Sequence, residues 1–385
     1  MSILKKLFYA SVIILVVSLL FLGIYRLSFY KPEETTQTKK EEPKPIAPIE
    51  QPKTDLTKIA AISDEAVLSP TLAPDGLSIK YYSQKSGRAY QIDLDGTSKK
   101  VLSDKDLIGL SSAIWSPDKT KVITKFIDGS GNVQFYYYNY STGISTPLKK
   151  NLDEVSWDSL GNKIFYKYYD PVSKERSLNI ADPDGTNWKK LADLSYRNVA
   201  IAPVPKSGVV SFWNKPESQV ETDMESIPVI GGDKKVILKG KFGADYLWNS
   251  SGTNILAGHV DAKGGSKMQL ALLNFSGGEY TNLGVPTFIS KCTWSNDNKT
   301  IYYSLPGNIQ ATAILPDEYS NGTIKTSDTF WKIDIASKQP KRIVELEDLQ
   351  KINTQFDATN LFLSSDEGYL FFVNKIDGKL YRINF

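Results

Sequence analysis

The stretch Ala113–Ile123, AIWSPDKTKVI, is written several times over in this chain of 385 residues. TLAPDGLSI precedes it at Thr71–Ile79. VSWDSLGNKIF follows at Val155–Phe165, YLWNSSGTNIL at Tyr246–Leu256 and CTWSNDNKTIY at Cys292–Tyr302. The place held by Trp115 is held elsewhere by Leu72, Trp157, Ile201, Trp248, Trp294 and Leu363, at spacings of 43, 42, 44, 47, 46 and 69 residues. A period near 45 residues with one long interval describes seven units, the sixth carrying an insertion.

Each unit has the same internal order. A short apolar run leads into a turn rich in Pro, Asp, Asn and Gly. A β-rich run follows, such as KVITKFI (Lys121–Ile127) or KIFYKYY (Lys163–Tyr169). A looser loop leads to a third run, and a second turn, such as DLDGTS or DPDGTN, precedes a fourth. Val/Ile/Tyr/Phe runs bounded by Asp-Gly and Gly-Gly pairs are strand and hairpin signals. Four short strands per unit of this length predict an all-β, seven-bladed propeller of four-stranded antiparallel blades. The Trp fills the space where one sheet packs on the next. The Asp beside it turns the chain, so its reading is structural rather than catalytic.

The pairing of WSPDKT-type turns (Trp115–Thr120) with DPDGTNWKKL-type turns (Asp182–Leu191) resembles the TolB-type propeller repeat, a relative of the WD-repeat class. The resemblance covers residues 55–385 and implies a fold rather than an activity, because this repeat serves many roles. The chain stops after a third strand, leaving the last unit one strand short. The strand-like run Asp55–Ser63 is expected to supply it and close the ring, removing two exposed edges.

Residues Leu7–Tyr25, LFYASVIILVVSLLFLGIY, carry no charge and as a helix would span roughly 28 Å, close to the hydrocarbon thickness of a bilayer. No small-residue cleavage site follows, so residues 1–30 read as one uncleaved transmembrane helix. Residues 31–54, rich in Pro, Glu and Lys, read as a flexible linker. The C-terminal part is expected outside the cytoplasm. Beyond residue 54, basic and acidic residues balance at 38 each, which speaks against nucleic acid as a partner.

With a single histidine, His259, and a single cysteine, Cys292, placed about one unit apart, neither a Ser-His-Asp nor a Cys-His arrangement is expected. No metal-ligating or cofactor-binding motif stands out. These absences lead to the expectation that the chain is no enzyme and takes no cofactor or metal. Its expected role is a membrane-anchored protein-binding scaffold for another envelope protein. The alternatives are a cell-wall glycan-binding protein, a carboxylate-dependent glycan-active enzyme and an envelope sensor. The variable connections, Asp170–Arg176, Asn214–Met224, Pro306–Asp328 and Glu345–Gln355, fall on one face, where function usually resides. Lys174, Arg176, Glu221, Tyr319 and Asp328 are the positional candidates for that binding face. The run Phe135–Tyr140, FYYYNY, is read as core packing.

Overall fold

The computed structural model describes Leu15, Val17 and Leu19, and residues Lys58–Phe385 apart from Asn353. Met1–Asp55 and Leu56–Phe385 are separate compact units. The three N-terminal residues are helical and exposed. The rest of the expected anchor and the whole linker lie outside the described residues. Among the described residues no helix is long and apolar enough to cross a membrane.

The second unit is built from antiparallel meanders. Five separate four-stranded sheets contain Trp115, Trp157, Ile201, Trp248 and Trp294 in their first strands: Leu110–Trp115, Leu152–Trp157, Val199–Pro203, Asp245–Trp248 and Cys292–Trp294. The sixth sheet has seven strands, because Ile59–Leu72 is shared by two neighbours. Its first half pairs with Lys379–Asn384 (Ile59↔Ile383, Ala60↔Arg382, Ala61↔Tyr381). Its second half pairs with Ser78–Ser83 (Val67↔Ser83, Leu72↔Ile79). The Leu380 amide donates to Ser63 Oγ at 2.9 Å across the same seam. Ile59–Leu72 touches Leu110–Trp115 and Ala358–Leu363, Leu152–Trp157 touches Val199–Pro203, and Cys292–Trp294 touches Ala358–Leu363, which places the first strands innermost. The arrangement is a β-propeller.

The repeated motif has two physical causes. The first is a conformational demand. Gly76, Lys119, Gly161, Lys206, Gly252, Asn298 and Glu367 occupy equivalent places in the first turn, and all have positive φ, between 56° and 73°. The preceding Asp or Asn secures that turn by accepting backbone N–H groups, as Asp75 does from Leu77 (2.8 Å) and Asp297 from Lys299 (3.0 Å). Hydrogen bonds from Ser295 and Ser364 hold the Asp297 and Asp366 carboxyls below the ordinary carboxylate range. The second cause is a stitch between sheets. The Trp115 indole donates to Ser69 O (2.9 Å), Trp157 to Ile114 O (2.8 Å) and Trp294 to Leu247 O (3.3 Å). Each indole thus reaches back to the innermost strand of the preceding sheet.

Between sheets lie apolar layers. Ile123 and Phe135 pack on Val155, Trp157 and Tyr166; at the closing seam Phe330, Phe356, Phe372 and Ile383 pack with Ile59. In each meander the first and third turns share one face of the ring. The second loops and the crossovers between sheets share the other, which carries the sites below.

Candidate functional site

A cavity of about 1630 Å³ opens on the loop-and-crossover face, spanning the Trp115 and Trp157 sheets. Its aromatic wall comes from the third strand of the Trp115 sheet, Val133–Asn139, and the residue just after it. Side chains alternate along a strand, so this run serves two surfaces. Phe135 is buried and Tyr137 packs near Trp157 (ring centroids 6.3 Å), whereas Tyr136, Tyr138 and Tyr140 line the cavity. The core-packing reading of FYYYNY holds for Phe135 and Tyr137 and in part for Tyr138 and Tyr140, which pack on the Trp115 cluster while also lining the cavity. Tyr140 is fixed by Trp115 (stacked, 5.6 Å), by Tyr138 (edge-on, 4.8 Å) and by a 2.7 Å hydrogen bond to the Tyr82 hydroxyl. Burial pushes its hydroxyl up to about 12, so it stays a neutral phenol.

The opposite wall is cationic. Arg176 holds its guanidinium 5.2 Å from the Tyr169 ring centre, and Lys105, Lys150 and Arg197 also line the space. Lys167 is buried, its ammonium bound to Asp153 Oδ2 and to the Arg197 carbonyl. Asp153 Oδ1 is buried and has no hydrogen-bond partner among the described residues. Lining cations number five against two carboxylates, Asp128 and Asp153. Asp128 is already engaged by Ser130 N (2.9 Å), Asn132 N (2.8 Å) and Asn132 Nδ2 (2.8 Å).

A second group of carboxylates continues from the cavity across the same face. Lys215 bonds Glu154 at 2.6 Å, and Asn198 Nδ2 donates to Glu217 at 3.2 Å. Asp245, at the start of the innermost strand of the Trp248 sheet, accepts the Trp213 indole N–H at 3.1 Å. Burial pushes Asp245 up to about 6, against the opposing pull of the Tyr246 amide, Trp213 and Lys215, with the charge of Glu154 adding to the rise. A carboxyl raised this way beside one paired with a lysine is the kind of arrangement that divides acid and base roles.

The long insertion does not lie over this cavity. It contains the helical turn Asp317–Ser320 and docks on other sheets: Ser218 donates to Asp317 through N (2.8 Å) and Oγ (2.7 Å), and Leu315 N bonds Gly265 O at 3.1 Å. At its root Lys291 is completely buried, donating to Asp328 (2.6 Å), Asp357 (2.8 Å), Thr326 Oγ1 (3.1 Å) and Ala358 O (2.9 Å). Burial alone would raise Asp357; Lys291 beside it brings the carboxyl below its ordinary value. Tyr319 stacks on Phe288 (4.2 Å) and donates to Asp357 (2.9 Å).

The positional candidates therefore separate. Tyr319 and Asp328 meet in this buried cluster. Arg176 lines the cavity. Lys174 stands exposed in the Asp170–Arg176 loop with φ 61°, and Glu221 is exposed at the first position of the strand Glu221–Pro228. Sequence reasoning passed over Asp153, Lys167, Arg197 and Asp245. Lys167 had left a signal, a lysine in the middle of the apolar run KIFYKYY. His259 is satisfied: its Nδ1–H faces Val260 O (2.8 Å), so Nε2 accepts from the Tyr280 hydroxyl (2.6 Å).

No protein-family model and no curated protein matches the sequence. Solved structures do. An oligogalacturonate lyase in complex with manganese overlays with a TM-score of 0.60 at 12% identity, covering 85% of this chain and 92% of its own. An oligogalacturonate lyase from Vibrio parahaemolyticus does so with 0.60 at 10%, covering 85% and 93%. The Swd1 propeller of Myceliophteria thermophila reaches 0.55 at 9%, covering 85% and 99%; TolB from Acinetobacter baumannii is also a structural neighbour. The shared feature is the β-propeller fold.

The expectation that the chain is no enzyme is corrected by the lyases. It rested on the single histidine and cysteine and on the lack of catalytic motifs, yet two enzymes, both oligogalacturonate lyases, share this fold over nearly their whole length. Among the described residues no three His, Cys, Asp or Glu converge to hold a metal ion, so the residues present do not fit manganese.

Proposed function

We propose that this protein binds an acidic oligosaccharide in the tyrosine- and cation-lined cavity and acts on it. The observation that carries the reading is the lining itself. Flat phenol rings suit the faces of pyranose rings, and an excess of Lys and Arg suits uronate carboxylates. The acidic sugar named for the lyases of the same fold supports that substrate class, and supports the glycan reading over a protein scaffold. Asp153 beside Lys167, and Asp245 raised toward neutrality near Glu154, are the carboxylates with which it would act, as in other carboxylate-dependent glycan chemistry.

The proposal has a setting. We take the shared strand Ile59–Leu72 as belonging to two blades, a reading under which the propeller would have seven. The uncharged stretch Leu7–Tyr25 would anchor them, with the propeller outside the cytoplasm among cell-wall glycans. The test is calorimetric titration of the purified full chain with acidic and neutral oligosaccharides, followed by assays for unsaturated uronate products and for new reducing ends. Binding of the acidic sugar, weakened in Tyr138→Ala and Arg176→Ala, is expected. Failure of every acidic and neutral glycan to bind would refute the reading.

A further inference from the structure

We infer that Lys167 is the specificity-determining residue of this cavity, the group that selects a carboxylate-bearing sugar over its neutral counterpart. The inference rests on the glycan reading above and adds a residue and a direction of preference to it. Lys167 sits in the middle of the strand Ile164–Tyr169, with a side chain only 2% exposed, yet it contributes to the cavity wall. Burying an ammonium is costly unless it is paired and fully hydrogen-bonded. Here the pairing is incomplete. The ammonium has three hydrogens, and the described structure gives it two acceptors, Asp153 Oδ2 and the Arg197 carbonyl. Asp153 in turn leaves Oδ1 without a donor.

One unused ammonium hydrogen thus remains at the cavity wall, beside Asp153, whose Oδ1 is itself buried. That pattern matches a sugar acid: a ligand carboxylate takes the third ammonium hydrogen, and the Asp153 counter-charge moderates its hold. Arg176 and Arg197 add positive charge around the same space. A neutral sugar ester at the same place would offer the ammonium a weaker acceptor.

A purely structural staple, tying the Arg197 crossover to the innermost strand, makes a different forecast. Its loss would weaken acidic and neutral ligands alike. The measurement is calorimetry on the full chain in detergent micelles with trigalacturonate and with its fully methyl-esterified form. Wild type is expected to prefer the acid. Lys167→Met should lower acid affinity by about 10- to 100-fold while ester affinity stays nearly unchanged. Asp153→Asn, which keeps the shape and removes the counter-charge, should raise the acid-to-ester ratio. Melting curves confirm that each variant is folded, and the opposite signs do not depend on either variant alone. An acid-to-ester ratio unchanged in both variants overturns this inference and leaves the glycan reading standing. Wild type silent toward both ligands overturns the reading and the inference with it.

Discussion

Replacing Asp245 by Asn should stabilise the protein, and only above a particular pH. The carboxyl titrates at 3.8 in an ordinary setting and at about 6 in the fold. The native state therefore holds this proton to a higher pH than the unfolded chain does. The stability associated with the protonated group is fully present below 3.8, declines as pH rises, and is gone once pH passes about 6. At 1.36 kcal/mol for each tenfold change in proton affinity, the native state above that range carries a penalty of roughly 3 kcal/mol. Asn is neutral throughout, and its Oδ1 can still accept the Trp213 indole and the Tyr246 amide. Urea unfolding of wild type and Asp245→Asn, followed by tryptophan fluorescence, should coincide near pH 4 and separate in favour of Asn by up to ~3 kcal/mol near pH 8. All other titrating groups cancel in that comparison. Equal stabilities at both pH values, or a less stable Asn variant near pH 8, would mean that Lys215 keeps Asp245 ionised, and the acid role suggested for it would fall.

Three other outcomes are expected. Trp157→Phe keeps the ring but deletes the donor to Ile114 O, and should cost about 1–3 kcal/mol by chemical denaturation; no loss would leave the stitch between sheets without energetic weight. Deleting residues 58–63 strips the pairing with Lys379–Asn384 and uncovers Ile383, so the single cooperative unfolding transition should broaden or divide; an unchanged melt would show that the seam is dispensable. Cys292 is buried and burial pushes its thiol well up, so alkylation should be negligible in the native protein and should track global unfolding with urea; rapid labelling without denaturant would contradict the packing of the innermost strand.

The propeller was legible because its signals are local and repeated. A left-handed residue in the first turn, with a Trp just before that turn in four of the seven units, marks the same corner around the ring. The loop-and-crossover face was legible for the same reason, since the irregular connections stand out against regular turns. The cavity was not. Its wall belongs to a strand that also packs into the core on both sides, and FYYYNY alone cannot say that Tyr137 faces Trp157 while Tyr136 and Tyr138 border a cavity. Lys167, Asp153 and Arg197 come from different strands and a crossover, and their meeting depends on the register Lys167↔Glu154 and on where the chain crosses to the next sheet. Asp328 and Tyr319 were picked from loop placement, but burial and the cation Lys291 turned that place into a clamp for the insertion.

The strand Ile59–Leu72 also sets a clock. During synthesis it is the first of the propeller's strands to be made, and its partner Lys379–Asn384 is the last. Each intervening meander can pair its own strands as it leaves the ribosome, since those contacts are near in sequence and close quickly. The seam between Ile59 and Ile383 has to wait for more than 300 intervening residues. Until then both mating edges stand open, and a truncated product lacking the final strand never passes that point. An unsealed ring with two bare edges is a natural target for chaperones and proteases, so the pairing of Lys379–Asn384 with Ile59–Leu72 is the step that protects the propeller.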